Sequence, residues 1–338
     1  MKTTAPRIIL RILVIIIAIV VLLAAFYAIL LTEAEHTAVE SYEGTTNPLI
    51  TEYGEFTVSA HRSGGEIYPE NTLRAMESCI RDIPELDYFE IDVQLTSDGE
   101  LILLHDDTLD RTTNACEAFG TDDNKVYDHT YAELYELNFG ESYTAEDGSL
   151  PYAGLRGSDI PEDLRALRLA DALDYTEANA PEGHSYYYII EIKDSDDIGR
   201  AATDELFRIL EERDLVDRTI VATFNGEITE YFDSNYPESI RSASVSEVAQ
   251  FYFDSLLGIT HEYKFQILQI PTSYVGGIIN LATPKLINHA HKNNIAVQYW
   301  TINDENTMKQ LISAGADSIT TDDPVLAFSL REEKNQEG

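Results

Sequence analysis

Two histidines, an arginine and two carboxylates fall within about 45 residues of one another, at the ends of two apolar runs. His61-Arg62 is followed by Pro69-Glu70-Asn71-Thr72, and Glu90-Ile91-Asp92 by His105-Asp106. Carboxylates bind divalent cations, arginine holds anionic phosphate, and imidazole moves protons near neutral pH. Hydrophobic packing has no use for this set.

A strand alternates its side chains with a period of two, so Glu90 and Asp92 share one face while Phe89, Ile91 and Val93 share the other. Glu191 and Lys193 repeat the pattern between Ile190 and Ile192. Charged-inside strands are costly unless the charges are paired or bind a metal. Glu90, Asp92 and Glu191 together make an all-oxygen set, which suits Mg²⁺ or Ca²⁺ better than zinc. Arg62 and Lys193 suit the charge of a phosphate, and His61 and His105 suit an acid–base pair. Each has a plainer alternative: a structural histidine, a Glu191–Lys193 ion pair, a core tryptophan at Trp300. His289 and His291, two apart on a helix, face different ways and make a poor metal pair. Tyr186, Tyr187 and Tyr188 read as strand packing.

The elements that must position these residues alternate regularly. Strands are predicted over 56–62, 88–93, 187–193, 219–224, 240–245, 266–270, 296–301 and 317–321. Helices are predicted over 71–82, 200–214, 227–235, 246–257, 283–294, 305–314 and 325–333. Near-continuous apolar strands alternating with amphipathic helices imply a parallel sheet covered by helices. Eight such units predict an α/β fold, a (β/α)8 barrel, with active residues at the carboxyl ends of the strands. An open doubly wound sheet is the alternative, and no Gly-rich phosphate loop follows the first strand to support it. The interval 94–186 is too long for one crossover. Ser97-Asp98-Gly99 signals a tight turn, so a hairpin returning His105 to the barrel mouth is expected there. A cap follows it, then a crossover helix over 160–174.

The amino terminus is different in kind. Residues 12–31 are 20 consecutive apolar positions, enough to cross a bilayer as a helix. Lys2, Arg7 and Arg11 precede them and Glu33 and Glu35 follow, which predicts a single-pass anchor with its amino terminus in the cytoplasm and the catalytic domain outside the cell membrane. A cleaved signal peptide is the alternative. Residues 1–31 are therefore read as cytoplasmic stub and transmembrane helix, 32–54 as a linker, 55–332 as the catalytic domain and 333–338 as a tail. The formal net charge of −37 argues against nucleic acid as a partner. Two cysteines, Cys79 and Cys116, are too few for a disulfide scaffold, and Cys79 sits in a helical pattern.

The strings His61-Arg62 with Pro69-Glu70-Asn71-Thr72, Glu90-Ile91-Asp92-Val93-Gln94-Leu95-Thr96-Ser97-Asp98-Gly99 and Leu104-His105-Asp106-Asp107-Thr108-Leu109-Asp110-Arg111 resemble the glycerophosphodiester phosphodiesterase family. So do Ile190-Glu191-Ile192-Lys193, Trp300-Thr301-Ile302-Asn303 and Gly315-Ala316-Asp317-Ser318-Ile319-Thr320-Thr321-Asp322-Asp323-Pro324. The resemblance covers roughly residues 56–330. It implies a barrel of the phosphatidylinositol-phosphodiesterase type with one divalent cation. By position Glu90, Asp92 and Glu191 match metal ligands, His61 and His105 the acid–base pair, Arg62 the phosphate-binding arginine, and Lys193 and Trp300 substrate contacts. The implied reaction hydrolyses a glycerophosphodiester to sn-glycerol 3-phosphate and an alcohol. Two further readings are kept: a lysophospholipase D acting on lysolipids, and a non-catalytic binding barrel. No obligate protein partner is implied. One residue departs from the pattern: Ser63 stands where the family usually has glycine.

Overall fold

The computed structural model describes residues 4–41, 44–65 and 67–337. Helix α1 (Thr4–His36) leads into β1 (Thr57–Ala60), α2 (Leu73–Asp82), β2 (Tyr88–Leu95) and β3 (Leu101–Leu103). Short helices α3 (Ala115–Phe119) and α4 (Tyr131–Leu134) lie in the cap. There follow α5 (Leu169–Ala178), β4 (Tyr187–Ile192), α6 (Asp196–Glu211), β5 (Thr219–Ala222), α7 (Gly226–Asn235), β6 (Ile240–Arg241), α8 (Val245–Leu257) and β7 (Ile267–Ile270). A small hairpin, β8 (Ser273–Tyr274) with β9 (Ile279–Asn280), precedes α9 (Pro284–Lys292) and β10 (Ala296–Tyr299). Then come α10 (Glu305–Ala314), β11 (Ser318–Thr321) and α11 (Pro324–Glu337).

Eight strands run parallel in the order β6-β5-β4-β2-β1-β11-β10-β7. A parallel bridge between Ser242 and Ile267 brings the two ends of that series together, so the sheet closes into the (β/α)8 barrel that the alternation predicts. The side-chain period follows the sequence. Phe89, Ile91, Val93, Ile190 and Ile192 pack outward beneath the helices, in the large core. Glu90, Asp92 and Glu191 point the other way, toward the cavity at the barrel mouth.

The antiparallel β2–β3 hairpin pairs Val93 with Leu103 and Leu95 with Leu101, and it delivers His105 to the mouth as expected. The cap beyond it has its own core, built on Leu104, Leu109, Val126, Leu134, Leu137 and Phe139. Of the expected boundaries that shift, three have a clear local cause. The first strand ends at Ala60, because His61–Ser63 turns sharply through left-handed backbone at Arg62 (φ 50°) and Ser63 (φ 63°). The fifth barrel strand stops at Arg241 and not at 245, because Ser244 and Glu247 form a reciprocal capping box that starts α8. The crossover helix begins at Leu169, not 160. The backbone before it runs extended beside β3, where Leu103 N–H donates to Leu167 O at 2.9 Å.

The segment read as a linker also makes defined contacts. Asn47 donates from Nδ2 to Gln266 O (2.7 Å) and Asn294 O (3.0 Å). Leu49 joins Tyr88, Ile189, Ile220, Ile267 and Ala296 in an apolar plug at the amino-terminal end of the barrel. Asp317, fully buried, accepts from Thr51 N–H (2.9 Å), Val297 N–H (2.7 Å) and the His291 ring at Nε2 (2.9 Å). One carboxylate thus ties the plug, β10 and α9 together. Removing a buried acceptor strands its donors. Asp317→Ala is expected to cost about 3 kcal/mol, measured by urea unfolding.

Candidate functional site

The turn after β1 builds one wall. Gly64 N–H returns to His61 O at 2.8 Å, closing a tight loop through three successive left-handed residues, Arg62, Ser63 and Gly64. Only glycine occupies that region without cost, so Ser63, buried with its hydroxyl unpartnered, carries strain of about 1 kcal/mol. The loop is held from below by Cys79, whose thiol donates to Ser63 O at 3.2 Å. A Cβ on Gly64 would lie 3.0 Å from that sulfur, so the thiol fills the space beneath the turn. Burial pushes the Cys79 pKa up to about 12. Both cysteines are free.

This turn aims Arg62 N–H at Glu90 Oε2, 2.7 Å away. Glu90, Asp92 and Glu191 converge: one oxygen from each lies within 4.8 Å of the others. Glu90 and Asp92 are buried. Burial, then the Asp92 charge, drives the Glu90 pKa up to about 8, and the same two causes raise that of Glu191. Lys193 answers part of this charge, with Nζ 2.8 Å from Glu191 Oε1 and 3.5 Å from Asp92 Oδ1. Burial works against its ammonium, but Asp92 and Glu191 outweigh it and raise its pKa. Asn71, itself left-handed at φ 53°, donates from Nδ2 to Asp92 Oδ2 at 2.9 Å. Asp92 Oδ1 is buried and accepts no hydrogen bond. A hard divalent cation fits such a donor set: three converging carboxylates, two of them buried, one with an oxygen that accepts no hydrogen bond, and with Glu90 and Glu191 held above their ordinary pKa values by burial and by the Asp92 charge.

The histidines flank the cluster, and each is held by a carboxylate. His61 Nδ1 lies 2.6 Å from Asp322 Oδ1, and Asn303 Nδ2 donates to Asp322 Oδ2 at 2.7 Å. Burial opposes the charged imidazolium, yet the Asp322 hydrogen bond and the Glu90 charge outweigh it, and the His61 pKa is raised. His105 Nδ1 lies 2.8 Å from Asp106 Oδ1. Its pKa is lowered, by burial first, against the pull of Asp92 and Asp106. Arg111 clamps Asp106 and reaches on to Glu70 (2.7 and 3.0 Å), which also takes Arg62 Nη1 at 3.2 Å. The chain Arg62–Glu70–Arg111–Asp106–His105 therefore links the first-strand turn to the cap.

His61, Arg62, Glu90, Asp92, His105, Glu191 and Trp300 line one cavity of about 370 Å³. Trp300 stands edge-on to Phe224 at 6.0 Å between ring centroids. Lys193 pairs with two of the carboxylates and is not on the cavity lining. Sequence reasoning gave no roles to Asp322, Asp106, Glu70, Arg111 or Asn71. Glu70 and Arg111 are 41 residues apart, and no periodicity joins them.

The family model for glycerophosphoryl diester phosphodiesterases matches residues 61–326. The chain belongs to that family. Among its relatives is a glycerophosphodiester phosphodiesterase of Caldanaerobacter subterraneus, 29% identical over 81% of this chain and 96% of that one. Another, from Bacillus altitudinis, is 27% identical over 82% and 98%. The fold is shared with a phosphodiesterase of Oleispira antarctica solved with sn-glycerol 3-phosphate (TM-score 0.59, 21% identity, 82% of this chain and 96% of that one). It is also shared with the glycerophosphoryl diester phosphodiesterase domain of a Mycobacterium tuberculosis protein (TM-score 0.63, 18% identity, 82% and 99%).

Within this family member, Asp322 predicts its own consequence. Asp322→Asn keeps the shape but removes the charge that favours imidazolium. The His61 pKa should fall, read by imidazole NMR titration, and turnover should drop by about 10- to 100-fold.

Proposed function

We propose that this chain hydrolyses glycerophosphodiesters to sn-glycerol 3-phosphate and an alcohol. The observation that carries this reading is the convergence, on one cavity, of two carboxylate-held histidines, Arg62 and a buried three-carboxylate cluster. Membership of the family and the activity named for its relatives support it.

Glu90, Asp92 and Glu191 hold one divalent cation, Mg²⁺ or Ca²⁺. When bound, it supplies positive charge against the phosphate and the charge that develops in the transition state. Arg62 binds a second phosphate oxygen, its guanidinium steadied by Glu70. Lys193 balances the carboxylates and contributes to the positive field, and Trp300 walls the side where the substrate's organic groups lie. One histidine takes the proton of the attacking hydroxyl, that of water or of the neighbouring glycerol carbon, as its bond to phosphorus forms; in the second case water must then open the cyclic phosphodiester to give sn-glycerol 3-phosphate. The other gives a proton to the departing alcohol oxygen as that bond breaks. Asp322 and Asp106 fix which ring nitrogen faces the phosphorus.

Residues 1–31 form a cytoplasmic stub and a single membrane-spanning helix, 32–54 the connection, 55–332 the catalytic domain and 333–338 a tail. The catalytic domain is placed outside the cell membrane. The length and apolarity of the helix, exposed from Ile12 to Phe26, together with the charges flanking it, support this arrangement.

The full chain is expected to release glycerol 3-phosphate from glycerophosphocholine with Mg²⁺ or Ca²⁺ and not with EDTA. His61→Ala and His105→Ala should each cut kcat by at least about 100-fold while the protein stays folded. Near-wild-type turnover in either variant would remove the mechanism.

A second expectation concerns pH. A carboxyl whose folded pKa is raised loses stability as pH climbs from its unfolded value toward the folded one, here from 4.5 to about 8 for Glu90. Cation binding reverses that loss. The rise in melting temperature on adding cation should be largest near pH 8 and fade toward pH 5, with protons released on binding. A pH-independent rise would show that these carboxylates do not hold the ion.

A further inference from the structure

Four charged side chains, Arg62, Glu70, Asp106 and Arg111, form one connected set beside the catalytic cavity, which Arg62 lines. Two guanidiniums face two carboxylates, so the set is neutral as a whole. Its members come from segments far apart in the chain: the turn after β1 (Arg62), the approach to α2 (Glu70) and the chain beyond β3 (Asp106 and Arg111).

Arg111 is fully engaged. Its Nε and Nη2 meet the two oxygens of Asp106, and its Nη1 and Nη2 meet those of Glu70 at 3.0 and 2.7 Å. Both contacts are the paired, fork-like kind in which a guanidinium binds most strongly. The backbone is fixed to match. Thr113 donates from N and Oγ1 to Leu109 O at 3.2 and 2.7 Å, which closes a turn around Arg111, and the Leu109 side chain is buried in the cap core. The hydrogen bond from Arg111, before any other cause, holds the Asp106 carboxyl well below its ordinary range.

Arg62 is held differently. Glu70 reaches only its Nη1, with both oxygens at 3.2 Å, farther than they lie from Arg111. Arg62 Nε is buried and has no hydrogen-bond partner among the described residues. A buried N–H left unpaired is costly. Nε and Nη2 together make the side-on edge that matches two oxygens of one phosphate. A carboxylate matches that edge equally well. Glu70 has the shape to occupy it, and Arg111 holds its oxygens elsewhere.

We propose that Arg111 is a positioning residue for phosphate: by satisfying Glu70 and Asp106 it leaves the Nε–Nη2 edge of Arg62 free for the substrate. This rests on the phosphodiesterase reading above, in which Arg62 binds the phosphate. Without Arg111 the set carries a net negative charge, and Glu70 closes on Arg62 in the place of the phosphate. Lysine is no substitute, because a point charge cannot hold two carboxylates by directed pairs of bonds.

The test is a rescue. Arg111→Met removes the charge and keeps an unbranched stem. Arg111 is half-exposed, so the change opens no core cavity. The full chain is assayed on glycerophosphocholine with Mg²⁺ or Ca²⁺, and KM and kcat are read separately. Arg111→Met should raise KM about tenfold. Adding Glu70→Gln removes the competing charge while the amide oxygen still accepts from Arg62, and KM should return to within about threefold of wild type. In both variants kcat should stay low, because Asp106, which holds His105, has lost its clamp. A fold damaged by the first substitution would not be mended by the second. A KM that Arg111→Met leaves unchanged, or that Glu70→Gln does not restore, overturns the proposal and leaves the phosphodiesterase reading standing. Wild-type chain inactive on glycerophosphocholine counts against that reading instead, and calorimetric titration with inorganic phosphate in Mg²⁺ then decides. The same loss and recovery of affinity upholds the role of Arg111; affinity that is equal, or absent, in all three chains overturns it. Should Arg111→Met not fold, Arg111→Gln carries the same comparison.

Discussion

Three carboxylates held within a few ångströms of one another in a buried position repel each other and lose hydration, and much of the surrounding architecture answers that cost. Lys193 pairs with Glu191 and Asp92, the Asn71 amide caps one Asp92 oxygen, and the Arg62 peptide N–H meets Glu90. Two of these partners need unusual backbone: Arg62 and Asn71 both sit in the left-handed region. Strain in the loop and compression of charge in the cluster are thus two sides of one arrangement, in which local cost is carried by a rigid barrel.

The histidines are coupled to the same problem. His61 sits beside Glu90 and is held by Asp322, from the last barrel strand; His105 is held by Asp106, whose carboxylate is fixed by Arg111 from the cap. The pKa values of the two rings move in opposite directions, His61 up and His105 down. Their difference arises from surroundings and not from residue type. A pair of titratable groups pushed apart in this way is suited to giving and taking a proton in one cycle.

The cap and α1 add directions that the barrel alone lacks. The cap carries its own small core, and Arg111 reaches from it to Asp106 and Glu70. Helix α1 docks by one face on α8 and α9, and the segment after it ends in the Leu49 plug under the strands. The same stretch of chain therefore packs along the side of the barrel and closes its floor.

Much of this was legible from the chain itself. Period two over Phe89–Val93 and Ile190–Lys193 determined which side chains face inward, because a strand offers no other choice. The alternation of strands and helices determined the barrel, and Ser97-Asp98-Gly99 determined the hairpin that carries His105. The boundaries at residues 60, 169 and 241 were not legible, because a turn through left-handed Arg62, an extended pairing with β3 and a capping box each override local apolarity. The partner of His61 was equally hidden, since Asp322 meets it across 261 residues, and so was the Glu70–Arg111 pair, 41 residues apart. The sequence by itself determined the reactive groups and the face each strand turns to them, since both follow from covalent geometry and periodicity. Only the tertiary structure decided that Asp322 holds His61 and that Glu70 joins Arg62 to Arg111, since those depend on contacts between segments that no linear spacing encodes.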